Sequence, residues 1–346
     1  MLQYTVGLTI LISTIAYAPT EEAGSDLLSA VDQVCLVPYP ADLTQLLESD
    51  WAVDTLVAAI SARLLHDEQY ALTTDAACNA YRVLSFVGGP HYRIEDEEMI
   101  GVLMQAAAPG MRCRGAARTA LTRASSLFIG TLGEHASQWL LAPNAAEDVA
   151  GIVDFIERVR APLSAKALHV VGSIAFDPEA SVQVVSNHVT RIEGSDADEI
   201  LIHRRVYELR GQAMIVRLVN GMAHDDLPRY TGLDQLGRAI AGHALLSTLS
   251  PDAKGFWNDD ESLLQAVSTA RKLFMDRSVQ DELEASPVGL WMICARGDGL
   301  SVEVRRAMLQ AMLDNAAVSG DAEIIGYATR AIEDTGFNPS EFTPKK

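Results

Sequence analysis

From about residue 25 to residue 334 the apolar side chains recur at helical spacing, and no Val-, Ile- or Tyr-rich run alternates between hairpin turns. A chain patterned this way can bury its apolar surface only by packing helix on helix. The spacing predicts helices over 25–36, 41–49, 52–66, 70–87, 95–108, 112–129, 134–141, 145–159, 162–175, 178–192, 197–222, 233–248, 259–276, 278–294, 301–316 and 321–334. The stretch 197–222 reads either as one helix or as two broken around Leu209-Arg210-Gly211. Short punctuators separate the helices: Gly88-Gly89-Pro90, Pro109-Gly110, Pro143-Asn144, Gly194-Ser195, Ser250-Pro251, Gly297-Asp298-Gly299 and Ser319-Gly320. Helices joined by such short turns run antiparallel to their neighbours. The fold class is therefore all-α.

Hydrophobic residues make up 49% of the chain but aromatic ones only 6%, so the core must be aliphatic and rich in alanine. Those alanines follow a local template: an anchor residue, small residues two and three positions on, Ala at the sixth and a larger residue at the seventh. Arg114 is followed by Ala116, Ala117, Ala120 and Leu121, and Arg305 by Ala307, Met308, Ala311 and Met312. Arg238 precedes Ile240, Ala241, Ala244 and Leu245, and Thr74 precedes Ala76, Ala77, Ala80 and Tyr81. Ala165, with Ala167, Leu168, Val171 and Gly172, is a looser copy. Small residues so spaced share one helical stripe, along which a neighbouring backbone can approach closely.

This template resembles the second helix of HEAT repeats, which a Val-Arg-x-x-Ala-type motif opens; Val304-Arg305-Arg306-Ala307 is the closest copy. The resemblance covers about residues 50–334 and implies an α-solenoid of antiparallel helix pairs, a HEAT-like superhelix. The regular proline and the paired aspartates of that family are mostly missing, which leaves a compact, non-repeating helical bundle as the alternative.

The formal net charge is −19, which repels a phosphate backbone, so nucleic acid is not an expected partner. Residues 1–62 hold no Lys or Arg. Val6–Ala18 is an apolar run, and Ala16-Tyr17-Ala18 fits the small-x-small pattern of a signal peptide, as Thr14-Ile15-Ala16 also does. The expectation is an exported protein, periplasmic or extracellular, with a leader over 1–18, a helical repeat domain over 19–336 and a disordered tail over 337–346. A buried first helix or an uncleaved anchor is the other reading of the leader. No other stretch is long and apolar enough to cross a membrane.

Cys35, Cys78, Cys113 and Cys294 form no C-x-x-C pair. Cys78 and Cys113 fall on successive repeat-like helices, whose axes should lie about 8–10 Å apart, so both are expected to be small buried hydrophobes, not a disulfide. No two of the eight histidines have the i, i+4 spacing of an H-E-x-x-H helix. His224-Asp225-Asp226 reads as a helix-terminal cluster, and no metal or cofactor is expected. The acidic runs Glu95–Glu98, Asp196–Glu199 and Asp259–Glu261 read as first-turn capping, with Ser195 and Asn258 as N-caps of the last two. Trp51, Trp139, Trp257 and Trp291 read as packing, and Arg296-Gly297-Asp298 as turn chemistry.

Two arginine clusters remain as candidates for binding. Arg112, Arg114, Arg118 and Arg123 give one helix a basic side, and Arg205, Arg210 and Arg217, near Arg204, give another. Lining a concave face formed by 112–125, 162–175, 205–220 and 235–248, they would grip carboxylates of a protein or peptide partner. The sequence carries no nucleophile elbow, P-loop or dinucleotide fingerprint. The expected function is therefore an exported, non-enzymatic interaction protein. The alternatives are a helical enzyme whose His and carboxylate groups meet only in three dimensions, and a metal-stabilised exported protein.

Overall fold

The computed structural model describes residues 50–86, 92–193, 199–249, 257, 259–283, 286–297 and 299–344, with the backbone alone at 50–56, 188–193 and 199–200. The leader, the helices expected over 25–36 and 41–49, Cys35, Ser195, Asn258 and Asp298 lie outside the described residues. Among the described residues the secondary structure is helical, without a strand. None of these helices is long and apolar enough to cross a membrane. The chain divides into two compact units.

The first unit contains helices α1 (Asp50–His66), α2 (Glu68–Thr73), α3 (Asp75–Phe86), α4 (Glu97–Ala106) and α5 (Arg114–Leu121). Short polar side chains start three of them. Asp67 accepts the Tyr70 N–H at 2.8 Å, Thr74 the Ala77 N–H at 3.2 Å, and Asp96 the Met99 N–H at 3.0 Å. Asp96 thereby does what was expected of its acidic run.

Helices α3 and α5 pack on each other, and the stripe residues Ala77 and Ala80 of one and Ala117 and Ala120 of the other are all buried. The seam brings Cys78 and Cys113 to a Cα–Cα distance of 4.8 Å, and the two are joined by a disulfide. This corrects the expectation of two separate thiols. Axis spacing misleads here because Cys113 is the N-cap residue of α5, placed where the chain end comes in beside α3.

The second unit begins with Ala107–Gly110 and resumes at Ala124. Its helices are α6 (Ile129–Leu141), α7 (Val149–Val159), α8 (Ala165–Phe176), α9 (Pro178–Glu193), α10 (Glu199–Val219) and α11 (Ala223–Tyr230). They continue with α12 (Gln235–Leu249), α13 (Asp260–Leu273), α14 (Arg277–Asp281), α15 (Pro287–Ala295), α16 (Val302–Ser319) and α17 (Ala322–Asp334). Helix α10 is unbroken and central, with α7, α8, α9 and α12 packed on it. Helix α12 packs on α13, α13 on α16, and α15 and α17 on α16.

The stripe positions are core here too: Ala167 and Val171, Ala241 and Ala244, Met308 and Ala311 are all buried. At several glycines the approach is closer than alanine allows, most of all at Gly133 and Gly242. A Cβ on Gly133 would lie 2.1 Å from the Pro162 carbonyl oxygen, and one on Gly242 would lie 2.3 Å from Cζ of Phe274.

Several boundaries differ from the sequence reading: the helix expected over 70–87 is broken at Thr74 into α2 and α3, and α11 occupies a stretch for which no helix was expected. The helix expected over 112–129 ends at Leu121, and a 3₁₀ turn at Ser126–Phe128 leads into α6. The helix expected over 278–294 is two, because Pro287 cannot continue α14 and instead opens α15. The tail expected to be disordered from 337 folds back as far as the described chain reaches. Phe337 and Phe342 meet edge to face, the Arg306 guanidinium lies 5.5 and 5.7 Å from their centroids, and Arg306 pairs with Glu341 at 2.7 Å.

Candidate functional site

The arginines named from the sequence do not form one exposed set. In the first unit, Arg112 makes a two-pronged pair with Asp75 at 2.5 and 2.6 Å on the surface. Arg114 donates to the Met111 carbonyl at 3.0 Å, Arg123 donates to the Ser85 carbonyl at 2.9 Å, and Arg118 is buried. In the second unit Arg210 and Arg217 are interior. Arg217 sits against Gly172 and closes on Asp226, whereas Arg210 donates Nε–H to the Ala175 carbonyl at 3.3 Å. Burial lowers the affinity of Arg210 for its proton, and Asp234 and Asp177 oppose that shift. Of the two basic helix sides, Arg118, Arg210 and Arg217 are thus buried, and α10 is packed by neighbours on several sides.

Arg205 is different: it lines a groove between α7, α9 and α10 of about 430 Å³. The apolar lining consists of Ala150 and Gly151 of α7, Val185 of α9 and Leu209 of α10. The polar lining is Asp154 and Arg158 of α7 and Arg205, Glu208 and Gln212 of α10. Helical geometry explains why these residues share a wall, since 150, 154 and 158 on α7, and 205, 208, 209 and 212 on α10, recur at three- and four-residue spacing.

Two internal pairs hold the polar groups. Arg158 Nε lies 3.0 Å from Asp154 Oδ2, and Gln212 donates from α10 to Asp154 Oδ1 at 2.9 Å. Arg205 Nη1 donates to Glu208 Oε2 at 3.0 Å, and Arg204 donates to the other oxygen of Glu208 at 3.3 Å. Neither Arg158 nor Arg205 is held in a two-pronged pair, and each side chain is 55% exposed, so most of the five N–H donors of each remain available to a ligand. Glu157, just before Arg158 on α7, holds its proton more tightly than usual, first through burial and then through the nearby charge of Asp154.

Sequence reasoning missed Asp154, Arg158, Glu208 and Gln212. The i, i+4 pair Asp154/Arg158 beside Ala150-Gly151 was the available signal. What joins it to Arg205 is the packing of α7 on α10, which no local pattern encodes.

The remaining polar clusters have structural partners. His224 lies in the first turn of α11, not at a helix end as expected, and Asp226 is consumed by Arg217. Asp259, not Asn258, caps α13 by accepting the Ser262 N–H at 2.7 Å; this hydrogen bond lowers its pKa. His135 stacks on Trp139 at 6.2 Å, and His243 Nδ1 lies 3.3 Å from the Tyr207 hydroxyl. The Trp291 indole donates to Asn315 at 2.7 Å in the core. Among the described residues no group of three or more His, Cys, Asp or Glu side chains is placed to hold a metal ion. Comparison with known proteins gives no matching family model, no matching curated protein and no matching solved structure.

Proposed function

We propose that the protein is a non-catalytic helical interaction protein that holds a peptide segment of a partner in the groove between α7, α9 and α10. The observation that carries this reading is the approach of Arg158 and Arg205, from two different helices, to one groove with a small-residue, apolar lining. Arginine recognises carboxylates through its fork of donors, and the small Ala150 and Gly151 leave room beside them for a peptide backbone. We further read the second unit as stacked helix pairs of the HEAT-like kind. The succession α8 on α10, α10 on α12, α12 on α13 and α13 on α16 supports this, as do the buried alanine stripes.

Export is part of the same proposal. The apolar run Val6–Ala18 with its small-x-small end supports it, as does the Cys78–Cys113 disulfide, since such bonds persist in oxidising compartments. The test is site-specific photocrosslinking in the producing cell, with the photoreactive residue at Ala150, an uncharged lining position of the groove, or, as control, at Arg277 on α14. The reading expects a discrete adduct from position 150 that is lost when Arg158 is reversed to Glu. Identical adduct patterns from 150 and 277 would remove the groove from consideration.

A further inference from the structure

We propose that the groove recognises the free C-terminal end of a peptide whose last side chain is aliphatic. This rests on the groove being the binding site, and deepens that reading by naming the chemistry it selects. The lining is balanced: Arg158 and Arg205 carry two positive charges, Asp154 and Glu208 two negative ones, with Gln212 between the sets in chemistry. A ligand bearing several carboxylates would meet the two acids and be repelled. The lining complements a single carboxylate with N–H donors next to it, and a peptide terminus has that arrangement. Its carboxylate can take the unused donors of both guanidinium groups, which one Asp or Glu oxygen each leaves free. Its last amide N–H groups suit Asp154 and Glu208, whose oxygens already accept hydrogen bonds from Gln212, Arg204 and Arg205.

Size points the same way. At about 430 Å³ the groove is of the dimension of a small-ligand pocket, which suits the end of a chain better than a long segment passing through. Ala150 and Gly151 keep the α7 wall low, so a backbone can come close, and Val185 and Leu209, 2% and 3% exposed, close the floor with apolar groups that give a polar last side chain no hydrogen-bond partner. Because each pair is half-exposed, exchanging one internal partner for a ligand carboxylate costs little.

The test is fluorescence polarisation with the full-length protein and a labelled pentapeptide, Gly-Ala-Ala-Gly-Leu, as free acid and as C-terminal amide. The free acid is expected to bind at least tenfold more tightly than the amide, and Arg158→Gln and Arg205→Gln are each expected to weaken the free acid at least fivefold. Circular dichroism spectra and melting temperatures of both variants should match the parent, since both side chains project from the surface. Equal binding of acid and amide, lost in both variants, would overturn recognition of the terminus and leave the groove standing. Binding of the acid that neither variant alters would overturn the groove itself. Failure of the free acid to bind would overturn the proposal, as would full displacement of the peptide by an equal concentration of free leucine, which would make the site an amino-acid pocket.

Discussion

Arg217 and Asp226 close a two-pronged ion pair in the interior of the second unit, Nε to Oδ2 and Nη2 to Oδ1 both at 2.7 Å, with the aspartate fully buried. The third nitrogen, Nη1, donates to the Leu168 carbonyl at 2.9 Å, so the pair ties α10 to both α8 and α11. Phe176 borders it, with Arg229 stacked 3.6 Å from the ring centroid. Removing one partner of such a pair strands the other charge away from water. Arg217→Ala and Asp226→Ala are each expected to cost about 3–5 kcal/mol in urea unfolding, while the double change Arg217→Met with Asp226→Leu is expected to cost clearly less than the sum. Additive losses would mean the two residues act independently.

Gly242 gives a prediction of the opposite kind, from excess volume. Its missing Cβ leaves room for the buried ring of Phe274, where α12 meets α13. Gly242→Ala gains helix propensity on paper, about 1 kcal/mol. A methyl placed 2.3 Å from Cζ forces the ring to move, and overpacking of this sort costs about 1–3 kcal/mol. The expected result is a lower urea midpoint for Gly242→Ala, recovered in part by adding Phe274→Leu. A higher midpoint for the single variant would show that the ring relocates freely.

The alanine stripes were legible because burial repeats with the helical period, and Ala77, Ala117, Ala167, Ala241 and Ala311 are all buried as that period requires. The cap at Asp96 was legible only as part of an acidic run at a helix start, since the helix was expected from 95 and begins at Glu97. The directions of Arg210 and Arg217 were not. A period assigns residues to faces, yet α10 meets neighbours on several faces, so periodicity cannot tell which one reaches solvent. The groove was half legible for a related reason: Arg205 stood out as one of a cluster, whereas Arg158 joins it only through the docking of α7 on α10. The disulfide was hidden because its geometry depends on Cys113 ending a helix, and the sequence placed it inside one.

That disulfide sets a redox dependence for the first unit. Its cysteines are separated by 35 residues, and cross-linking a loop of that length restricts the unfolded chain by roughly 3–4 kcal/mol. The second unit holds only Cys294, which is free and buried, its thiol pushed up to about 12 by burial. Dithiothreitol, or Cys78→Ser with Cys113→Ser, is therefore expected to speed hydrogen exchange across α3 and α5 while leaving α10 and α12 unchanged. Iodoacetamide at neutral pH should label Cys294 only in denaturant. Labelling of Cys294 in the native protein, or uniform acceleration of exchange across both units, would contradict this assignment.

Glu157 supplies a pH dependence whose sign follows from its surroundings. Burial raises its pKa above the ordinary 4.5, the charge of Asp154 adds to this, and Arg158 and Arg160 act against both. In the folded state the carboxyl therefore binds its proton more tightly than in the unfolded chain. Where the folded state binds more protons, stability falls as pH rises. The contribution of Glu157 is thus fully present below the ordinary carboxylate value and is lost as pH climbs through the raised one. Glu157→Gln keeps the shape of the side chain and removes the titration. The melting temperature of that variant, minus that of the parent, is expected to be lowest near pH 4 and to rise to a plateau by neutral pH. A difference that stays flat across the range would mean that Glu157 titrates alike in both states, and that its position on α7 beside Asp154 carries no electrostatic cost.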